Sequence, residues 1–281
     1  MEFTSEEGEQ KYAALVRAAA ETIVGLDFDG TLAPIVEDPA QAHIHPAAGD
    51  VLVGLAQQVR AVAVVTGRPA RQALDLGGLE EVGNAVGDAG KELYLFGQYG
   101  NERWSSTNRR VIGPRPPHGL ATFTADLPRL LRRLGLEAAY IEEKGLAVAV
   151  HTRRLEDPAA AYDALLPAIR EQATRHDLVV EPGKQVIEVR SDGMNKGIVV
   201  DRLVEELGAG GFLFIGDDLG DIEAFEAVRA LAKDGLATLL VCSADSEQSA
   251  LLPLSDVFVP GPEGVLDLLR QLTADAAALR A

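Results

Sequence analysis

Short apolar runs that end in polar residues limit what this chain can become. They are residues 22–27 (TIVGLD), 61–66 (AVAVVT), 212–217 (FLFIGD) and 236–242 (LATLLVC), with a shorter fifth run at 256–259 (DVFV). Apolar residues in near-continuous series, without alternation, suit strands buried on both faces, as in a parallel sheet. Helical patterns separate them at 47–59, 69–76, 196–207, 221–232 and 263–273. Alternation of this kind implies right-handed βαβ units and an α/β, doubly wound parallel sheet. Such sheets hold their ligands beyond the carboxyl ends of the strands. Asp27, Thr66 and Asp217 fall at those ends, and the search for chemistry starts there.

Residues 113–190 read differently. They open on GPRPPHG, a connector that continues neither helix nor strand. Helical patterns follow at 121–134 and 158–175, with strands at 138–142, 145–151, 178–181 and 185–190. Two helix–strand–strand units predict an α+β module, 113–190, inserted into a core made of 1–112 and 191–281.

Composition narrows the function classes. No apolar stretch reaches the ~18 residues of a membrane span, and the acidic start, MEFTSEEGEQKYAAL, lacks the features of a signal peptide. The single cysteine, Cys242, forms no internal disulfide. A cytoplasmic protein without membrane association is the expectation. A net charge of −17 argues against nucleic-acid binding. The arginines between 103 and 154 are nonetheless dense enough to attract an anionic small molecule locally, although Arg129–Arg133 also suits a solvated helix face. Trp104, the only tryptophan, reads as packing.

Four segments carry chemistry. In D-F-D-G-T, residues 27–31, alternating side chains put Asp27 and Asp29 on one side of the chain. Gly30 permits a sharp turn, and Thr31 is expected to hydrogen-bond it. A carboxylate here is able to attack phosphorus and form an aspartyl-phosphate, while its neighbour protonates the leaving oxygen and later activates water. In VVTGRP, residues 64–69, the Thr66 hydroxyl and the backbone around Gly67 suit a phosphate oxygen, though Thr66 also reads as a plain helix cap. Lys196 opens a helix against the helix dipole, which makes sense if it binds phosphate and neutralises a carboxylate; a surface lysine is the alternative. In GDDLGD, residues 216–221, Asp217, Asp218 and Asp221 repel one another and imply a cation, with oxygen donors favouring Mg²⁺. An acidic helix start accounts for one or two of these carboxylates but poorly for Asp217, the last strand residue. The role of Asp221 stays open. Together the segments point to phosphoryl transfer.

Taken in order, D-F-D-G-T-L, V-V-T-G-R, Lys196 and G-D-D-x-x-D resemble the four motifs of haloacid-dehalogenase-type (HAD) phosphatases, from 22 to 225. QYGNERW (98–104), IEEKGLAVAVHTRR (141–154) and GKQVIEVRSDGMNKG (183–197) are similar to segments of the trehalose 6-phosphate phosphatases. The resemblance implies a Rossmann-like HAD core with an α+β cap domain, and Mg²⁺-dependent hydrolysis of trehalose 6-phosphate. It implies Asp27 as nucleophile and Asp29 as general acid/base, with Thr66 and Lys196 on the transferring phosphoryl group. Mg²⁺ would sit on the side chains of Asp27 and Asp217 and the backbone carbonyl of Asp29, with Asp218 in support. Gly67, Arg68, Asn101, Glu142, Lys144 and Glu188 would bind substrate, with His151 a further candidate. Three positions depart from the pattern: Gly220 replaces Thr, Ile222 replaces Glu and Glu102 replaces His. They leave the sugar open between trehalose 6-phosphate and another phosphorylated disaccharide, pseudodisaccharide or sugar. A non-catalytic phosphometabolite binder is the other class, and Asp27, Asp29, Lys196 and Asp217 argue against it. The expected partner is a small sugar phosphate. No protein partner, the pathway's trehalose-phosphate synthase included, is readable from the residues.

Overall fold

In the computed structural model, which describes residues 1–183, 185–193, 195–244 and 250–280, the apolar runs become strands and the stretches between them helices. The chain opens with β1 (Glu2–Phe3), α1 (Glu6–Arg17), β2 (Thr22–Leu26), α2 (Ala48–Ala56), β3 (Ala61–Val65), α3 (Ala70–Gly77), α4 (Leu79–Asp88), β4 (Leu93–Gly97) and β5 (Glu102–Ser105). Then come α5 (Leu120–Leu134), β6 (Tyr140–Glu143), β7 (Ala147–His151), α6 (Pro158–Thr174), β8 (Val179–Gly183) and β9 (Val186–Arg190). It closes with α7 (Lys196–Leu207), β10 (Gly211–Gly216), α8 (Ile222–Lys233), β11 (Ala237–Ser243), β12 (Val257–Val259) and α9 (Gly261–Ala278). These form two units, Met1–Ile112 with Asn195–Ala281, and Gly113–Met194. The chain re-enters the first unit at Asn195, against the expected 191.

In the first unit an eight-stranded sheet runs β1-β12-β11-β10-β2-β3-β4-β5. It is parallel from β12 to β4 and antiparallel at both edges. The chain builds outward from β2 through β3 to β4, then returns to β10 on the other side of β2. The order therefore reverses between β2 and β10, where a doubly wound sheet opens its ligand crevice. The pairing Ile215↔Leu26 brings the two strand ends level, so Asp27 and Asp217 leave the sheet side by side. Both faces are covered. Val24, Leu26 and Ile215 pack with Leu15, Leu52 and Leu269 from α1, α2 and α9. Ile23, Phe212 and Phe214 pack with Val200, Leu203 and Phe225 from α7 and α8. Double burial is the reason these runs lack polar alternation.

The second unit is an antiparallel sheet, β6-β7-β9-β8. Val148, Val150, Ile187 and Val189 bury one face against Phe123, Leu127, Leu165 and Ile169 of α5 and α6. The other face carries charge on three of its four strands: Glu142, Glu188 and Glu181 lie in one row with Ala149.

The α/β doubly wound class expected from the sequence is the one observed. The reading omitted α1, α4, β1, β4 and β5. The run LYLFG of β4 carries the same apolar signal as its neighbours, all five residues being buried. In α1 the signal is thin, since acidic and polar residues surround the buried Gly8, Tyr12, Leu15 and Val16.

Close packing on β2 is testable at Gly25, where an added Cβ would stand 2.8 Å from the Phe214 ring and 3.2 Å from that of Phe212. Gly25→Val is expected to cost about 1–3 kcal/mol of stability by overpacking. Urea unfolding followed by circular dichroism should show a lower midpoint at unchanged slope.

Candidate active site

The DFDGT segment extends β2 by one residue, the Asp27 N–H donating to the Ile215 carbonyl at 2.9 Å. The chain then turns sharply. Phe28 is buried, its carbonyl accepting from Leu32 and Ala33, and the Gly30 N–H donates to the Ala33 carbonyl at 2.8 Å. Gly30 has φ 70°, and a Cβ there would stand 2.1 Å from Asp217 Oδ2, so backbone and space both demand glycine. Ser243 at the end of β11 donates through Oγ to the Gly30 carbonyl at 2.7 Å. Thr31 does not hydrogen-bond the turn as expected: its Oγ1 is buried without a partner among the described residues, because backbone groups already close the turn.

Asp27 is buried, and its Oδ1 accepts from Lys196 Nζ at 2.6 Å. Lys196 is the first residue of α7, after Asn195, whose side chain accepts from the Ile198 N–H at 3.0 Å. The same ammonium donates to Asp221 Oδ1 at 2.6 Å. Asp221 Oδ2 accepts from the N–H groups of Asp217 and Asp218, at 3.0 and 3.4 Å. Asp221, left open by the sequence, thus fixes both the lysine and the strand end carrying Asp217. Its signal was the acidic residue one turn after the strand, which reads equally well as a helix start. Asp218 is exposed, and its Oδ1 accepts from the Gly220 N–H at 2.8 Å, closing the turn.

Carboxylate oxygens of Asp27, Asp217 and Asp221 lie within 4.8 Å of one another. Burial pushes the Asp27 carboxyl well above the ordinary carboxylate range; Lys196 opposes the shift, while Asp221, Asp218 and Asp29 add to it. Asp217 is pushed up to about 10, by burial first and then by Asp27, Asp218 and Asp221. Burial also raises Asp221, against the pull of Lys196. For Lys196, burial favours the neutral amine, but attraction to Asp221 and Asp27 outweighs it and raises the pKa well above the usual lysine value. Two buried carboxylates share one ammonium and a third, the half-buried Asp217, lies close by, so the cluster is short of positive charge. An oxygen-only donor set of this kind is compatible with a hard divalent cation.

Thr66 and Gly67 follow β3 at the same edge of the sheet. The Thr66 hydroxyl accepts from the Arg68 N–H at 3.1 Å. Arg68, expected at the substrate, grips Asp29 with Nε on Oδ2 at 2.6 Å and Nη2 on Oδ1 at 2.7 Å. Its Nη1 donates to the Pro39 carbonyl at 2.9 Å, so the guanidinium is anchored at both ends. Asn101 turns back on its own loop, both N–H and Nδ2 donating to the Gln98 carbonyl. Glu102, which the sequence marked only as a departure, accepts from the Ala70 N–H through Oε2 at 2.6 Å. Trp104 packs in the first unit's core.

The remaining expected residues lie on the sheet of the second unit. Lys144 Nζ donates to Glu188 Oε2 at 2.5 Å, and His151 Nε2 lies 2.9 Å from Glu142 Oε2. Glu188 is buried, and its other oxygen has no partner among the described residues. Arg190 and Glu181, not picked out beforehand, pair at 2.8 Å beside them.

A family model described as trehalose-phosphatase matches residues 25–101 and 134–257. The chain is 36% identical over 217 residues to an uncharacterized glycosyl hydrolase of Mycobacterium tuberculosis (strain ATCC 25618 / H37Rv), covering 73% of this chain and 15% of that protein. It is 31% identical over 239 residues to the trehalose-phosphate phosphatase of Mycobacterium avium (strain 104), covering 80% of this chain and 56% of the relative. The chain thus spans less than two thirds of the length of either relative. In fold it is similar to the C-terminal domain of trehalose-6-phosphate phosphatase from C. albicans, with a TM-score of 0.76, 20% identity, and 97% and 98% of the two chains covered. With its DFDGT turn, its Lys196-centred carboxylates and the span of the family match, this chain belongs to the trehalose-phosphatase family.

Proposed function

We propose that the chain is a Mg²⁺-dependent phosphomonoesterase that hydrolyses trehalose 6-phosphate through an aspartyl-phosphate on Asp27. The observation that carries this reading is the buried ammonium of Lys196 shared between Asp27 and Asp221, 2.6 Å from each, beside Asp217 at the switch point of the sheet. A site built only to bind phosphate gains nothing from a carboxylate beside the anion, whereas a nucleophile requires one.

In this mechanism a carboxylate oxygen of Asp27 attacks phosphorus and the bond to the sugar oxygen breaks. Asp29 gives that oxygen a proton, releasing the sugar. Asp29 then takes a proton from water, whose oxygen attacks the aspartyl-phosphate, and the bond from phosphorus to Asp27 breaks to free inorganic phosphate. Lys196, the Thr66 hydroxyl and the Gly67 N–H hold the phosphoryl oxygens throughout. Asp27 and Asp217, with the Asp29 carbonyl, are the residues to hold Mg²⁺, Asp218 supporting, and the ion supplies charge neutralisation to the phosphoryl group. Arg68 holds Asp29 in place, and with Asn101 it is assigned to the substrate's polar groups.

The sugar is assigned to Glu142, Lys144, Glu188 and His151. Paired charges of this kind form strong hydrogen bonds to hydroxyls, and the unused oxygen of Glu188 is a buried acceptor suited to a hydroxyl donor. No described helix is long and apolar enough to cross a membrane. The sequence holds one cysteine, Cys242, which is buried, and we assign the enzyme to the cytoplasm.

Phosphate release should be strong with trehalose 6-phosphate and weak with glucose 6-phosphate, sucrose 6-phosphate and an aryl phosphate. Activity confined to the aryl phosphate would remove the trehalose assignment but keep the chemistry. Asp27→Asn is expected to lower kcat by about 10⁴-fold or more, measured by the same assay. Chelation by EDTA should stop turnover and added Mg²⁺ restore it. Independently of activity, Mg²⁺ at about 100 times its Kd should add about 2.7 kcal/mol to the unfolding free energy. Glu188→Gln should raise KM for trehalose 6-phosphate about tenfold, the worth of one charged hydrogen bond, while KM for the aryl phosphate stays put.

A further inference from the structure

The turn between β4 and β5 is bent more than a short connection requires. Gln98, Tyr99 and Gly100 have φ values of 47°, 58° and 97°, three successive residues in the left-handed region. Two of them carry side chains, and such strain persists only where surrounding contacts hold it. Those contacts converge on residues 66–70. The Gln98 N–H donates to the Arg68 carbonyl at 2.8 Å, and the Tyr99 N–H to the Thr66 carbonyl at 3.0 Å. Glu102 Oε2 takes the Ala70 N–H at 2.6 Å. Ala70 begins α3, and the residue at its own cap position, Pro69, makes no side-chain cap bond, so the carboxylate on β5 does that work and meets the positive end of the helix dipole. The Tyr99 ring stands 2.8 Å from where a Cβ on Gly67 would be, which requires glycine at 67. Among the described residues, nothing accepts from the Gly67 N–H.

We propose that residues 98–102 form a clamp on the phosphate-binding segment Thr66–Arg68, with Tyr99 and Glu102 as positioning residues. This rests on the phosphatase reading above. Backbone donors stabilise developing charge only when they are already in place, and this segment is short, follows a strand end and contains glycine. Held at 66, 68 and 70 by hydrogen bonds and at 67 by a ring, it keeps one geometry. The consequence is specific. Glu102 acts on the phosphoryl end of the substrate, not on the sugar, so its replacement of the family's usual histidine leaves sugar choice alone.

The test compares Glu102→Ala and Glu102→Gln on two substrates, trehalose 6-phosphate and an aryl phosphate, with amide hydrogen exchange over residues 66–70. Glu102→Ala is expected to lower kcat/KM about tenfold on both substrates alike, and to speed exchange at Ala70 by at least about tenfold. Glu102→Gln, which keeps an acceptor oxygen, should recover most of both. Tyr99→Gly, which removes the ring and relieves its own backbone, should lower kcat/KM in the same even manner without lowering the unfolding midpoint. It decides the matter if Glu102→Ala fails to fold. A fall confined to trehalose 6-phosphate makes Glu102 a sugar contact and overturns the clamp, as does an unchanged kcat/KM on both. A wild-type chain that releases phosphate from neither substrate defeats the phosphatase reading. Exchange then decides the clamp alone, unchanged protection in Glu102→Ala overturning it.

Discussion

The ammonium of Lys196 sits 2.6 Å from both Asp27 and Asp221, with all three side chains buried. Each charge, alone, would be expensive to take out of water, and removing one partner of a buried pair typically costs about 3–5 kcal/mol. The bridge joins three elements distant in sequence: the end of β2, the first turn of α7 and the turn before α8. Much of the site's order follows from it. Asp221, fixed by the lysine, holds the backbone of Asp217 and Asp218, and that backbone sets Asp217 against Gly30. Burial lifts the Asp27 and Asp217 pKa values, neighbouring carboxylates add to the shift, and the one ammonium only partly opposes it. The cluster stays short of positive charge, a condition compatible with a divalent cation.

The two units use charge differently. In the first, carboxylates converge at the switch point of a sheet whose faces are both apolar, so the polar groups are confined to the strand ends. In the second, one face of the sheet is apolar and the other carries Glu142–His151, Lys144–Glu188 and Arg190–Glu181 pairs. Glu188 and Glu181 each have a cation beside them and Glu142 a histidine, which eases the repulsion between acidic residues in register. A surface of fixed, paired charges presents many hydrogen-bonding groups at defined positions. Under the proposed function, the first arrangement serves the phosphoryl group and the second the hydroxyls of the sugar.

Much of this was legible beforehand because local rules govern it. The apolar runs had to be doubly buried strands, and Asp27, Thr66 and Asp217 had to lie at one edge of their sheet. Lys196 stood out because it opposes the dipole of its own helix. Arg68 and Glu102 were not legible in the same way. Arg68 was expected only at the substrate, and the fold adds its grip on Asp29; Glu102 stood out only as a departure from the family pattern, and the fold puts it on a backbone N–H of α3. Neither contact has a signature in sequence, since each joins residues more than thirty positions apart. Thr31 shows the reverse error: a local rule predicted a hydrogen bond that the backbone had already made.

By itself, then, the sequence determined the fold class, most of its central strands and helices, and the strand ends at which the candidate residues lie. It did so because hydrophobic period and strand-end position are properties of short segments. Only the tertiary structure decided the pairings: Lys196 with both Asp27 and Asp221, Arg68 with Asp29, and the strained turn at Gln98–Gly100 with the segment after β3. A charge or a backbone donor takes whichever partner the fold brings within about 3 Å, and that distance is set by packing between elements that are remote along the chain.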